Sequence, residues 1–257
     1  MSTLTLAARD SSTMVRRQLK RLIRYPSMTI QLVATPVILL VVFVYVLGGT
    51  LGSGLGGGRD AYVNYVVPGI LLMAVATAAT GTAVMVATDM TEGIIARFRT
   101  MRISRASVLT GHVVGAVIQQ LLGMAVLVGV ALAMGFSPNA SAVEWLAAVG
   151  LLTLFAVAIT WLAVALGLKA QTPESASNAP MPLILLPFLG SGFAPTDSMP
   201  AALRWFAENQ PFTPIMETVR GLLFGTPIGN NGAIATAWCV AIALLSYIWA
   251  KKTFNKA

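Results

Sequence analysis

Three observations predict an all-α polytopic membrane protein. Of the 257 residues 56% are hydrophobic, only 10% are charged, and the apolar residues gather into six runs of near-spanning length. A soluble domain carries about 25% charged residues to cover its surface, so a soluble globular enzyme is excluded. Disorder needs low hydrophobicity and high charge, the reverse of this composition. The 23 Gly and 13 Pro follow no fibrous period. A single cysteine, Cys239, leaves no intramolecular disulfide and no Cys-cluster metal site. Six spans of ~20 residues fill this length, so 1–257 reads as one transmembrane domain.

The runs lie at roughly 28–48, 64–88, 107–134, 145–168, 178–194 and 232–250. Hydrocarbon offers no partner to unpaired backbone groups, so each run must be a helix. The ~10-residue alternating segments of a β-barrel are absent. The first run is longer than a signal-peptide core and leads into Gly48 and Gly49 rather than a small-x-small site, so it reads as a retained span. Fourteen of the 17 Lys and Arg precede the first run, separate the second from the third, or follow the fourth and sixth; only Arg59, Arg204 and Arg220 fall on the other side. The positive-inside rule then places both termini in the cytoplasm. The net charge of +8 is thereby topological and does not point to nucleic acid.

Before the first run, Val15, Leu19, Leu22 and Ile23 form one apolar stripe, with Arg17, Arg21 and Arg24 opposite and Arg16 and Lys20 beside them. Ser11 or Ser12 can cap this helix and Pro26 ends it. Such a helix lies on an anionic cytoplasmic leaflet, as a topology anchor or as a lever toward a cytoplasmic partner. The 89–107 connection holds a second stripe, Ile94, Phe98 and Met101, ringed by Glu92, Arg97, Arg99 and Arg102. It suits a partner groove and equally an interfacial helix. Residues 53–58, SGLGGG, lack the Lys-Ser/Thr of a phosphate cradle and read as a flexible outer loop. No Gly-Lys dipeptide exists, so any ATP must be bound by another chain.

The fifth run is short and carries Pro180, Pro182 and Pro187. After it, 200–209 can form a helix with Arg204 and Glu208 paired at i, i+4. Thr213 and Pro214 read as the N-cap and first residue of another, with Glu217 near its positive end, Ile215, Val219 and Leu222 as its stripe, and Gly225 as its stop. Two short amphipathic helices suggest a hairpin dipping into the outer leaflet.

Catalytic and metal-binding constellations are absent. His112, the only histidine, has no acid nearby in sequence and reads as structural. The 190–192 stretch, Gly-Ser-Gly, falls short of a Gly-x-Ser-Gly protease pattern because position 189 is Leu189. Cys239 reads as a packing residue. Asp89 sits at the cytoplasmic end of the second run, and no ionisable group lies at mid-depth, which argues against an ion-coupled carrier. The mild polar residues Thr77, Thr80, Thr82, Gln119, Gln120 and Asn178 serve interhelical hydrogen bonds or line a cavity. Gly111 and Gly115 form a small-xxx-small pair.

These parts resemble the membrane permeases of type-two ABC exporters, which include the daunorubicin-resistance permeases. The loop EGIIARFRTMRISR at 92–105 is similar to the family's first cytoplasmic loop, with Arg102 where Pro is common. Leu183, Leu186, Leu189, Gly190, Gly192, Met199, Pro200, Pro211, Phe212 and Arg220 match the family signature in order and spacing, with Pro214 the departure. The resemblance covers nearly the whole chain. It implies a multi-pass protein of the bacterial cytoplasmic membrane that is not itself an enzyme. It implies a dimer with a second permease protomer, identical or a sister, and two ATPase subunits holding ATP and Mg, with no cofactor on this chain.

The family also implies a connecting helix (Arg17, Lys20, Arg21, Arg24) and a coupling helix (Glu92, Ile94, Phe98, Arg99, Met101, Arg102). It implies outer re-entrant helices (Arg204, Glu208, Pro211, Glu217, Arg220). A small amphipathic drug or lipid is the expected substrate. A polysaccharide or glycolipid export permease and a stand-alone channel are the alternatives. The expected path lies at the dimer axis, between Thr77 and Thr80 of the second run and Asn178, Phe188 and Phe193 of the fifth; packing is the competing role for the two Phe.

Overall fold

The computed structural model describes residues 26–92 and 105–256, with side-chain surroundings for 33–92 and 109–254. Arg17, Lys20, Arg21 and Arg24 of the expected connecting helix, and Ile94, Phe98, Arg99, Met101 and Arg102 of the expected coupling helix, lie outside the described residues. Among the described residues every regular element is helical. Five helical stretches are long and apolar enough to cross a membrane: Val33–Gly54, Gly58–Thr91, Leu109–Ala133, Ala142–Lys169 and Asn231–Phe254.

The first stretch is composite. Helix α1 (Pro26–Val41) passes through a π-helical turn at Val42–Leu47 into α2 (Gly48–Gly54). Residues 53–58 form a tight reversal instead of a loose loop, since Gly56 and Gly58 hold φ of +76° and +63° that other residues resist. Helix α3 (Gly58–Thr91) is the longest, 34 residues, or about 51 Å at 1.5 Å per residue. It is also the most buried of the five and forms the axis of the molecule. Helix α4 (Arg105–Ala133) returns antiparallel to it.

Helix α5 (Ala142–Lys169) begins three residues before the expected boundary because Ser141 and Glu144 form a reciprocal capping box. Helices α3 and α5 run parallel in close contact: a Cβ added at Gly167 would fall 2.5 Å from the Ala83 carbonyl oxygen and 3.0 Å from Val86. Ala76, Ala79, Ala83, Ala156, Ala163 and Val164 are fully buried along these helices. Small side chains let backbones approach and replace hydrophobic drive as the source of helix association in lipid.

The fifth apolar run departs from expectation. It is not one helix but α6 (Pro173–Asn178), α7 (Met181–Leu185) and a series of turns to Phe193. Pro180, Pro182 and Pro187 remove amide donors and clash with the preceding turn, and Gly190 and Gly192 follow at once. A 3₁₀ turn (Thr196–Ser198) leads into α8 (Ala201–Asn209) and α9 (Phe212–Phe224), and α10 (Asn231–Lys256) closes the chain.

Thr213 is not the N-cap of α9, which starts at Phe212, two residues before the expected first residue Pro214; the Gln210 side chain caps it, Oε1 accepting the Phe212 N–H at 3.2 Å. Gly225 ends α9 with φ +67° as the spacing predicts. The 134–141 loop rests on the end of this helix. The Asn139 N–H donates to the Leu223 carbonyl at 2.9 Å and Phe136 meets Phe224 edge-on at 5.7 Å. The Ser137 N–H also donates to Asn64 Oδ1 at 3.0 Å. The start of α3, the ends of α4 and α9 and the start of α5 therefore share one side.

Candidate functional site

The broken run is held against α3 by backbone proximity and by side chains that replace missing helical hydrogen bonds. A Cβ on Gly69 would lie 2.6 Å from the Gly192 carbonyl oxygen, so both positions exclude larger residues. Nearby, Tyr62, 1% exposed, donates its hydroxyl to the Phe193 carbonyl at 3.2 Å. The Leu186 carbonyl, released where the helix fails, accepts from Gln210 Nε2 at 3.2 Å, and the same amide donates to Thr213 Oγ1 at 3.1 Å. Buried backbone groups must be paired somewhere, and here α9 and its cap supply the partners.

Arg220 is the hub of this arrangement. Its side chain is 13% exposed. One terminal nitrogen donates to the Glu217 carboxylate at 2.6 Å; the other donates to the carbonyls of Tyr65, at 3.2 Å, and Ser191, at 2.9 Å. The guanidinium also lies 4.0 Å from the Tyr65 ring centroid, a cation–π contact. One planar group thus ties α9 to α3 and to the broken run, geometry that a lysine point charge cannot reproduce.

Arg204, by contrast, sits in the open. It pairs with Glu208 at 2.7 Å and Asp197 at 2.6 Å with its side chain 45% exposed. The hydrogen bond to Glu208 and the two carboxylate charges push its guanidinium pKa up from the ordinary value, yet solvent screening leaves such pairs little energy. Pro211 precedes the first residue of α9. The short helices of the expected hairpin are therefore present, with Glu217 and Arg220 bonded inward and Arg204 and Glu208 outward.

The residues expected along a path do not form one continuous surface. Phe188 and Phe193 stack with centroids 4.3 Å apart and planes 8° from parallel, and Phe43 packs on Phe193 at 4.5 Å. Phe193 is buried and Phe188 is 38% exposed. Leu189, Leu185 and Met181 extend this apolar surface along the broken run, at 37%, 57% and 60% exposed. Thr77 returns its hydroxyl to the Met73 carbonyl at 2.9 Å, an intrahelical bond. Thr80 Oγ1 is buried with no hydrogen-bond partner among the described residues. Asn178 is exposed at the end of α6.

Sequence reasoning overlooked Phe43, Tyr62, Tyr65, Ser191 and Gln210. Most of their partners are distant in sequence, 131 residues for Tyr62 and 155 for Tyr65 with Arg220, while Gln210 also bonds its near neighbours Phe212 and Thr213. Periodicity carries no trace of such pairs.

Deeper in the bundle, Gln120 Nε2 donates to the fully buried Thr160 hydroxyl at 3.0 Å, joining α4 to α5. A cavity of about 20 Å³ beside Gln120 is lined by Val33, Pro36, Ala74, Ala78 and Met124 among others. At the opposite end of α3 from Arg220, His112 lies beside Asp89 with Nε2 3.1 Å from Oδ2, both buried.

The sequence model of the ABC-2 type transporter family matches residues 10–224. A curated relative, the "Daunorubicin resistance ABC transporter permease protein DrrB1" of Streptomyces coeruleorubidus, is 26% identical over 224 residues, 86% of this chain and 77% of that protein. The "Probable doxorubicin resistance ABC transporter permease protein DrrC" of Mycobacterium tuberculosis is 23% identical over 210 residues, 81% of this chain and 76% of that protein.

Proposed function

The chain belongs to the ABC-2 type transporter family and is a permease subunit of an ABC exporter, and from that premise we propose that it exports an amphipathic drug or lipid past its broken fifth run. In this reading a separate subunit binds and hydrolyses ATP. The permease works as a dimer, with both termini in the cytoplasm, and the 92–105 loop docks on the ATPase. Residues 1–257 act as one transmembrane domain.

The observation that carries the reading is the depth travelled by the broken run. It begins just after Gly167 and Lys169, where α5 abuts Val86 of α3, and ends at Phe193, bonded to Tyr62 of α3. Val86 and Tyr62 are 24 residues apart on one helix, about 36 Å at 1.5 Å per residue. That distance matches the ~30 Å hydrocarbon core, which supports a sixth crossing made of interrupted helix. Irregular backbone is tolerated at membrane depth only where it faces protein or a cavity. One side of the run is occupied by α3 and α9; the other bears Phe188, Leu189, Leu185 and Met181, all exposed. A planar apolar cargo finds ring and aliphatic contact there, with Asn178 as an exposed polar handle and the buried Thr80 hydroxyl within reach only once the bundle opens. The hairpin of α8 and α9 stays in the outer leaflet.

The reading also needs differential affinity, since cargo contributes to the cycle only if it binds the inward and outward states unequally. The test is transport of doxorubicin into inverted vesicles containing the permease and its ATPase subunit. Phe188→Ala and Thr80→Ala, made separately, are expected to change the ranking of doxorubicin against a second amphipathic probe while assembly and basal ATP hydrolysis persist. Uniform loss for every probe with poor assembly assigns both residues to packing and removes the path from this surface.

A further inference from the structure

We propose that Asp89 and His112 form a latch that makes the second and third spans move as one when the cytoplasmic loop between them is displaced. The proposal rests on the exporter reading, in which that loop meets the ATPase. Asp89 is in the last turn of α3 and His112 in the second turn of α4, so the pair brackets the 92–105 loop from both sides. Asp89 is 4% exposed, His112 is 8% exposed, and His112 Nε2 lies 3.1 Å from Asp89 Oδ2. Asp89 Oδ2 receives no hydrogen bond of good geometry among the described residues, so the close approach of His112 is the polar contact this oxygen has.

Two physical arguments make this more than helix packing. A buried pair of ionisable side chains is a poor way to gain stability, because desolvation offsets most of the attraction and apolar residues of equal size hold helices as well. Ionisable groups inside a membrane domain are costly and mark functional positions, with the partner identifying the function. Here the partner joins the two helix ends that carry the loop. Without it, a displaced loop can tilt one helix end and leave the other behind, and only part of the motion reaches the bundle. Further along, α4 bonds α5 through Gln120 and Thr160, and α3 meets the broken run at Gly69 and Gly192. Both helices therefore have to arrive together to move the walls of the crossing. Each contact is a packed or hydrogen-bonded element, the kind of contiguous network able to carry coupling between distant sites.

The experiment compares transport per ATP hydrolysed for the assembled complex in inverted vesicles, with doxorubicin as the probe. The variants are Asp89→Asn, His112→Gln, the exchanged pair Asp89→His with His112→Asp, and Phe98→Glu. Each single change at the pair is expected to lower transport per ATP about tenfold, with ATP hydrolysis and assembly retained, and the exchanged pair to restore it to within about threefold of the parent. Phe98→Glu, aimed at ATPase docking, is expected to abolish probe-dependent transport. Normal transport per ATP in both single variants, with Phe98→Glu defective, overturns the latch and leaves the exporter reading intact. Single variants that fail to assemble and are not rescued by the exchange overturn it as well, because the pair then serves folding alone. Parental transport with Phe98→Glu shows instead that the loop does not couple, and the reading beneath the latch fails first.

Discussion

Two neighbouring stretches, 142–169 and 173–193, both rich in Ala and Leu, reach opposite outcomes. The first is a single helix of 28 residues with a capping box at its start and Lys169 in its last turn. The second never sustains more than six helical residues between breaks. The second opens with the polar residues Glu174, Ser175, Ser177 and Asn178 and is the less apolar, but that alone does not break a helix. Three prolines within eight positions and two glycines immediately after do so, because each proline deletes a donor and blocks the turn before it. The helix satisfies its own backbone, whereas the broken run borrows partners from Gln210, Tyr62 and Arg220. A self-sufficient crossing can face lipid. A dependent one must stay against protein, and its shape is set by those lenders.

The most disruptive change is expected to be Arg220→Ala. It leaves the Tyr65 and Ser191 carbonyls and the Glu217 carboxylate without their shared donor. Removing one member of a buried charged network costs about 3–5 kcal/mol, so thermal unfolding of the detergent-solubilised protein should shift down sharply. Arg220→Lys should recover little of this, having lost the fork that reaches both carbonyls. An unchanged unfolding temperature in Arg220→Ala means the broken run is held by other contacts.

Glycine substitutions sharpen the contrast at a smaller scale. A Cβ at Gly192 meets the Pro187 carbonyl oxygen at 2.7 Å and Met216 Sδ at 3.0 Å, while one at Gly150 on α5 meets nothing within 4 Å. Gly192→Ala should destabilise by about 1–3 kcal/mol through overpacking. Gly150→Ala should be neutral or stabilise by up to about 1 kcal/mol, as for an open helix position. The same unfolding assay reads both, and equal shifts of one sign erase the distinction between the stretches.

The smallest effect concerns the start of the regular crossing. Ser141 Oγ accepts the Glu144 N–H at 3.4 Å, and the Ser141 N–H donates to Glu144 Oε2 at 2.7 Å. Ser141→Ala should cost about 1 kcal/mol and leave transport per ATP unaltered, since the cap serves one helix alone. A transport defect with normal unfolding shows instead that the 134–141 loop takes part in the cycle.

The sequence made the five regular crossings legible because composition and length suffice for them. The fifth apolar run was half legible: its prolines were visible, but run length alone suggested a conventional span. Arg220 was legible as part of a short amphipathic helix, while its acceptors on α3 and at Ser191 depend on tertiary contacts that no local pattern records. The α9 start was misplaced because a Thr-Pro pair imitates a cap, whereas a glutamine side chain three residues earlier performs the task. His112 had no acid close in sequence, yet Asp89 is beside it in space. The signal was their similar depth on antiparallel helices either side of one loop, which neighbouring sequence positions do not display.

The proposed crossing by the broken run is tested most directly by the side of the membrane on which its two ends emerge. Cysteines placed singly at Gln171 and Asn209, both exposed and outside the regular crossings, can be probed in intact cells and inverted vesicles with a membrane-impermeant thiol reagent, the native Cys239 being buried. The account predicts that the cysteine at Gln171 reacts only from the cytoplasmic face and the one at Asn209 only from the outside. Reaction of both from the same face would contradict it, because the 173–193 stretch would then enter and leave the membrane on one side.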